Sequence, residues 1–303
     1  MNLNDLCLTD FLSGERLDKF LAARIAAFSR VEIQAAIHAG QIQVNACLVS
    51  PKYKLKIGDV IAGTLVAKEI LEDEPEAIPL RIVYEDEAIL IINKPPGLTV
   101  HPGAGQKQGT LVNALLYHRP ELKFLPRAGI VHRLDKDTAG LMVVAKTNVA
   151  RFNLIAALKE HQVERIYVAL VQGHLIAGKT IDAPIGRHPV ERVKMAVLPH
   201  SRLAKPAITH VRVLKHFQRV TLIEARLETG RTHQIRVHLA HLGYPLVGDK
   251  VYGRRGNQGV SFSRQALQAE RLSLAHPLTG EWMQFSVPWE ADFAELLNQW
   301  EAK

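Results

Sequence analysis

Apolar residues follow a helical period near the N-terminus, then short alternating runs, then a long succession of strand-like and helix-like segments. In 15–25, Leu17, Phe20, Leu21 and Ile25 fall at i, i+3, i+4 and i+8, which predicts a helix with one buried face. Ser29, three residues before Glu32, predicts a capping box opening a second helix. Ile33, Ala36 and Ile37 supply that helix's apolar side and Gly40 its stop. The alternating run QIQVNACLV (41–49) predicts a strand with a turn at Asn45, and the return passes through Lys56–Val60. Two short helices and a small sheet bury a modest core, which suits a binding attachment better than a catalytic body.

Glu69, Glu72, Asp73, Glu74 and Glu76, with Pro75 and Pro79, then form an acidic, proline-marked stretch. Such a run predicts a flexible linker. The expected division is therefore a module over 1–66, a linker over 67–79 and a second domain over 80–303.

In the second domain, 81–84 and 88–93 (AILIIN) predict strands, 110–117 a helix, and 140–146 (GLMVVAK) an apolar run. A helix over 148–161 and a strand over 165–172 (RIYVALVQ) follow. Alternation predicts strands at 211–213 and 220–226, a helix at 231–242, and paired strands at 272–274 and 283–287. The fold class is α+β, on a mixed or antiparallel sheet.

Composition narrows the setting. The 303 residues suit about two domains. No run approaches the roughly 18 apolar residues that span a bilayer, and the start, with Asp5, Asp10 and Glu15, lacks the pattern of a secretory signal. Cys7 and Cys47 are too few for a disulfide framework or a closed zinc site, so a reducing, cytoplasmic setting is the default. The net charge of +8 favours a polyanionic partner, either nucleic acid or an anionic surface.

Two polar knots stand out. AGIVHRLDKDTAGLMVVAKT (128–147) places His132, Arg133, Asp135, Lys136, Asp137 and Thr138 between apolar segments, the layout of functional side chains on a rigidly held turn. LETGRTHQIRVHLAHLGYPLVGDKVYG (227–253) sets Arg231, His233, Arg236 and His238 around the apolar Val237, Leu239 and Leu242. His233 and His238 are five apart and so on different helix faces, and no carboxylate at helical spacing joins His238 and His241, which argues against zinc. A nucleophile elbow, a Walker loop and the zinc-deaminase signature are all absent from the sequence. Between Arg187 and Arg219 lie eight basic residues (Arg187, Arg192, Lys194, Arg202, Lys205, Arg212, Lys215, Arg219) against Glu191 alone, which suits a phosphate-tracking surface or a solvated basic loop.

HRLDKDTAGLMVVAKT resembles the second motif of the RluA family of pseudouridine synthases, most closely its RluD branch, which acts on large-subunit ribosomal RNA. INKPPGLTVHPGAG (92–105) resembles the first motif, ERIYVALVQG (164–173) the segment with the family's tyrosine, and GRTHQIRVHLAHLGYPLVGDKVYG the third motif. The N-terminal order of elements resembles the αL RNA-binding domain that precedes the synthase in that branch. The resemblance implies that Asp135 is the catalytic aspartate, that Arg236 pairs with it, and that Tyr167 stacks on the target base. It further implies that Arg133 enters the space the base vacates, and that Arg16, Lys19, Arg24 and Arg30 meet RNA phosphates. Ala139 stands where many members have serine.

The residue types suit that chemistry. Uridine must lose its N1–C1′ bond, turn over and rejoin through C5, without redox change or group carrier, so no cofactor is expected. One carboxylate can attack C1′ or take a proton in a glycal route. A neighbouring arginine, Arg236 or failing that Arg231, would hold it ionised. Asp137 reads as structural. An aromatic ring gives a stacking surface of ~1–3 kcal/mol per base for a flipped nucleotide, although Tyr167 in RIYVALV also fits an ordinary core position. Three functions share these features: a ribosomal-RNA synthase, a transfer-RNA synthase, and a non-catalytic RNA-binding or ribosome-assembly protein. The expected state is a monomer with no metal.

Overall fold

The structure is a computed structural model that describes residues 14–25, 28, 30–65, 73–103, 106, 108–191, 193–253 and 262–301. Cys7, Ser29 of the expected capping box, Glu69 and Glu72 of the acidic stretch, residues 104–105 of the first motif, and Arg192 lie outside the described residues.

The N-terminal module has the expected order. Helix α1 (Leu17–Arg24) and helix α2 (Arg30–His38) pack beside a two-stranded antiparallel sheet of β1 (Ile42–Val44) and β2 (Ile61–Gly63). The first strand is shorter than its alternating pattern suggests, because Asn45 and Ala46 both turn into the left-handed region at φ 53° and 60°. Leu17, Phe20, Leu21, Ile33 and Ile37 meet in one core with Ile42 and Ile61. The periodic positions are thus the buried ones.

The second half of the acidic stretch is docked rather than loose. Asn113 donates to the Glu74 carbonyl at 2.7 Å, Gly109 N–H donates to the Glu76 carboxylate at 2.8 Å, and Ile78 and Leu80 pack on the main core. The flexible joint expected here does not apply to residues 74–80, because their polar and apolar groups find partners at the start of a helix.

That helix is α3 (Leu111–His118), capped by Thr110 and Asn113. The large sheet begins with β3 (Ile82–Glu85), β4 (Ile89–Lys94), β5 (Ala139–Ala145) and β6 (Glu164–Gln172), with helix α4 (Asn148–Lys159) between the last two. It continues with β7 (Lys179–Asp182), β10 (Ile208–His216), β11 (Val220–Leu227), β12 (Leu267–Ala275) and β13 (Trp282–Ser286). Between β7 and β10 a side hairpin forms from β8 (Ile185–Arg187) and β9 (Met195–Val197). Helix α5 (Gln234–His241) follows β11, and α6 (Ala291–Glu301) ends the described chain.

Among the described residues the strand order is β3-β4-β5-β12-β6-β11-β10-β7, with β13 beside β12. Every pairing is antiparallel except β5 with β12, so the sheet is mixed. At β4 and β5 both faces are buried, which explains why AILIIN and GLMVVA read as continuous apolar runs. Leu90, Ile92 and Met142 face the core that holds α3 and α5, and Ile89, Ile91 and Val143 face the core under α4. The parallel pair requires Gly140: its φ is +116°, and a Cβ there would lie 2.1 Å from the Ala269 carbonyl oxygen. Ala139, fully buried and paired with Gln268, is a packing position.

Three expected segments change. The helix placed at 231–242 begins only at Gln234, because His233 takes a left-handed conformation at φ 56° and Arg231–His233 form a turn. The strand expected at 211–213 extends over nine residues, and that at 272–274 likewise. Strand pairing across the sheet carries both past the alternating core of their sequences. No helix among the described residues is long and apolar enough to cross a membrane.

Candidate active site

Residues 131–138 lead into β5, and they are fastened by the side chain of their own His132, by Lys94 of β4 and by the adjacent Arg264 and Gln265. His132 Nε2 accepts the Val143 backbone N–H at 3.0 Å. A backbone amide only donates, so that nitrogen carries no proton and the imidazole is neutral. Burial, with Arg165 nearby, pushes its pKa down to about 3. Lys94 is 1% exposed, and its ammonium donates to the carbonyls of Pro95, Leu98 and Lys136 at 2.8, 3.0 and 2.9 Å. Burial lowers its pKa to about 7, against the pull of Asp137 and Asp135. Arg264 Nη1 reaches the Asp137 carbonyl at 3.3 Å, and Gln265 donates to Thr138 Oγ1 at 3.1 Å. Asp135 therefore sits on a turn whose backbone is tied on both sides.

Arg236 lies on α5, buried, and donates from Nη1 to Asp135 Oδ2 at 2.9 Å. Its Nε and Nη2 donate to the two oxygens of Asp249 at 2.7 and 3.0 Å. Burial disfavours the guanidinium charge, but Asp249 and Asp135 together raise its pKa above the usual value. Helix α5 is positioned by Gln234, whose Oε1 accepts from Thr229 Oγ1 and Arg231 N and whose Nε2 donates to the Ile208 carbonyl. His233 lies with Nε2 3.9 Å from Asp135 Oδ1, while its Nδ1 shares a 2.8 Å hydrogen bond with Tyr252 Oη. Tyr252 Oη also accepts the Met195 N–H at 2.8 Å, so its own proton is available to His233. Burial pushes the His233 imidazole below its usual range, which favours that neutral form.

Of these groups, His132, Asp135, His233, Gln234 and Arg236 line a cleft of about 820 Å³. Its walls include Asp135, Tyr167, Arg236, Arg133 and Arg231, so five of the residues singled out in the sequence converge there. Tyr167, on β6, is 5% exposed, and burial with Asp135 nearby raises its phenol to about 12 against the influence of Arg165. It is both a core residue and a wall of the cleft, which joins the two readings of its position. Arg133 is exposed. Arg231 does not pair with Asp135; its Nε donates to the Pro206 carbonyl at 2.9 Å. Asp135 is the single carboxylate among the lining residues, against Arg127, Arg133, Lys159, Arg165, Arg231 and Arg236.

Arg16, half-buried, and Arg30, exposed, sit beside the N-terminal core and are already engaged within the module. Both donate to the carboxylate of Asp18, which is fully buried, at 2.8–3.0 Å, and Gln34 donates to it as well. Burial pushes Asp18 up, but these hydrogen bonds outweigh it and hold its pKa at about 2. Lys19 is exposed, and Arg24 stacks over Phe20 at 4.2 Å. The basic stretch 187–219 is less uncompensated than its sequence suggests, since Arg212 pairs with Glu224 and Lys215 with Glu301, carboxylates the local window lacks. His238 is a buried structural residue whose ring nitrogens meet Thr209 Oγ1 and the Ala183 carbonyl.

Asp249, Lys94, Gln234, Tyr252 and Arg264 were not found as site residues from the sequence. Lys94 carried a usable signal, a charge closing the apolar run ILIIN. Asp249 stood inside the quoted third motif without a role.

Comparison with known proteins places the chain in a family. Residues 88–241 match the RNA pseudouridylate synthase family, and residues 15–61 match the S4 domain. Ribosomal large subunit pseudouridine synthase D of Escherichia coli (strain K12) is 48% identical over 297 residues, covering 94% of this chain and 90% of that protein. The protein of the same name from Haemophilus influenzae is 46% identical over 94% of this chain and 91% of its own. Among solved structures, human RNA pseudouridylate synthase domain containing 1 superposes with a TM-score of 0.58 at 28% identity, over 75% of this chain and 97% of that one.

Proposed function

The chain belongs to the RNA pseudouridylate synthase family, and on that premise we propose that it isomerises specific uridines of large-subunit ribosomal RNA, with Asp135 as the catalytic carboxylate. The observation that carries the residue assignment is the 2.9 Å contact of Arg236 with Asp135 inside a cleft that Tyr167 also lines. The chemistry follows from what that cleft offers. A uridine turned out of its helix needs a surface for its base and a charge complement for its backbone. The Tyr167 ring supplies the first, and the basic walls the second. Arg133, exposed at the cleft, fills the space the uridine leaves.

Asp135 then acts at the ribose, as nucleophile at C1′ or as the base that takes a proton in a glycal route. Either way N1–C1′ breaks, the uracil turns, C5–C1′ forms, N1 gains a proton and C5 loses one. Oxidation state is unchanged, so the reaction requires no redox cofactor. Arg236 pairs with the carboxylate and aims it, because its own position is held from behind by Asp249. The N-terminal module, with Lys19, Arg16 and Arg30 on its helices, supports RNA anchoring outside the cleft. The cleft is complete within one chain, which supports action as a monomer, and a ribosomal substrate implies a cytoplasmic protein.

Mapping pseudouridine across total RNA, with and without the gene, tests this reading. Sites in large-subunit ribosomal RNA should vanish without the gene, return with the wild type and stay absent with Asp135→Asn, whose RNA affinity should be nearly unchanged. Restoration by Asp135→Asn at the normal rate would overturn the role of Asp135. Loss of sites in transfer RNA alone would overturn the substrate.

A further inference from the structure

Three arginines of the catalytic domain stand out as buried: Arg165, Arg236 and Arg264 are 6%, 5% and 5% exposed. Two are neutralised by carboxylates, Arg236 by Asp249 and Asp135, and Arg264 by Asp292 at 2.7 Å through both Nε and Nη2. Arg165 is not. Its Nη2 donates to the Glu228 carbonyl at 2.8 Å, its Nε has no hydrogen-bond partner, and no carboxylate pairs with it among the described residues. Burial accordingly pushes the guanidinium below its usual range. An unpaired buried charge is costly, and proteins that keep one normally compensate it.

Arg165 lines the same cleft as Asp135 and Tyr167. It stands two residues before Tyr167 on β6, so both side chains leave the same face of the sheet, about 6.6 Å apart along the strand. Room for its head group is kept by Gly230, where a Cβ would lie 2.8 Å from Arg165 Nη1. Gly230 has no left-handed backbone that would call for glycine, so the missing side chain serves the space. The group that answers Arg165 must bring a negative charge. A uracil carbonyl would add only a second neutral acceptor beside Glu228, which already leaves the cation uncompensated. A phosphodiester brings a full charge, and a base stacked on Tyr167 carries its backbone past the neighbouring position on the strand.

We propose that Arg165 is a binding residue for one RNA phosphate, at a linkage flanking the flipped uridine. The buried cation is held vacant in the free protein and paired only when the nucleotide is seated. This rests on the synthase reading above and adds a subsite to it.

The test uses the full chain and a ribosomal RNA fragment that the wild type converts, made with a methylphosphonate at the linkage on either side of the reacting uridine. Arg165→Met should convert the unmodified fragment roughly ten- to a hundredfold more slowly, the size of a lost charge-assisted contact. At one of the two linkages the methylphosphonate should slow the wild type by a similar factor and slow Arg165→Met no further. Gly230→Ala, which displaces the guanidinium without removing it, should show a smaller loss at the same linkage. Thermal unfolding of RNA-free Arg165→Met should occur at or above the wild-type temperature, since an uncompensated charge has been removed. Losses that multiply at both linkages, wild-type rates in Arg165→Met, or a Tm lowered by several degrees would each overturn the proposal. If the wild type converts no uridine in ribosomal RNA, the synthase reading fails instead, which is a separate outcome.

Discussion

Asp249 accepts from Nε and Nη2 of Arg236, at 2.7 and 3.0 Å, and so leaves Nη1 directed at Asp135. The carboxylate that aims the arginine is itself fixed by the backbone N–H groups of Val251 and Tyr252 at 2.8 and 3.0 Å. The geometry at Asp135 is thus set by a residue that does not line the cleft.

Asp249→Asn removes the charge behind Arg236 while keeping its shape. The rate of pseudouridine formation under single-turnover conditions should fall by about tenfold or more, the scale of a hydrogen bond to a charged group. RNA affinity should change little, because Asp249 does not itself line the cleft and meets it only through Arg236. A variant with wild-type rate, or one whose loss lies wholly in RNA binding, would refute the aiming role.

His132 gives a prediction in pH. Its pKa is depressed to about 3, because burial and the nearby Arg165 both oppose a charge there. Protonation therefore occurs only as pH falls toward 3, and the imidazole stays neutral from pH 5 to 8. His132→Phe should lower the rate by loosening the Asp135 turn, yet leave the shape of the rate–pH profile in that window unchanged. Loss of a limb near pH 6 on substitution would show that His132 titrates there.

Asp18 makes the N-terminal module acid-sensitive. A carboxyl depressed from 3.8 to about 2 stabilises the fold above the unfolded value, and that contribution disappears as pH falls through about 2. Asp18→Asn should cost roughly 2 kcal/mol at neutral pH, and the gap to wild type should close between pH 4 and 2 in denaturant titrations. It also follows that reversing the charge of Arg16 or Arg30 unfolds as well as unbinds. Lys19→Glu is the cleaner probe of RNA contact, and it should weaken binding in a salt-dependent way with the module's stability retained.

Much of this was legible in the chain. The helical face of Leu17, Phe20 and Leu21, the turn at Asn45, the doubly buried runs at 89–94 and 139–145, and the polar knot around Asp135 are local patterns of period and polarity. Local patterns report on neighbours in sequence, and those readings held because each element's buried face depends on its own residues. Ends of elements were less legible. The left-handed His233 delays α5, and its ring meets Tyr252, nineteen residues on, a contact that no local pattern marks.

What the sequence by itself determined was the order of elements, the motifs and the carboxylate on its turn. What only the tertiary structure decided was which distant groups hold that carboxylate in place. Arg236 reaches Asp135 across 101 positions, Lys94 reaches the Lys136 carbonyl across 42, and Arg264 reaches the Asp137 carbonyl across 127. Two of those three contacts end on backbone carbonyls, which every residue possesses and no sequence pattern marks. Whether a buried arginine is paired, as Arg236 is, or unpaired, as Arg165 is, depends on the carboxylates folding brings beside it, and that is a property of packing alone.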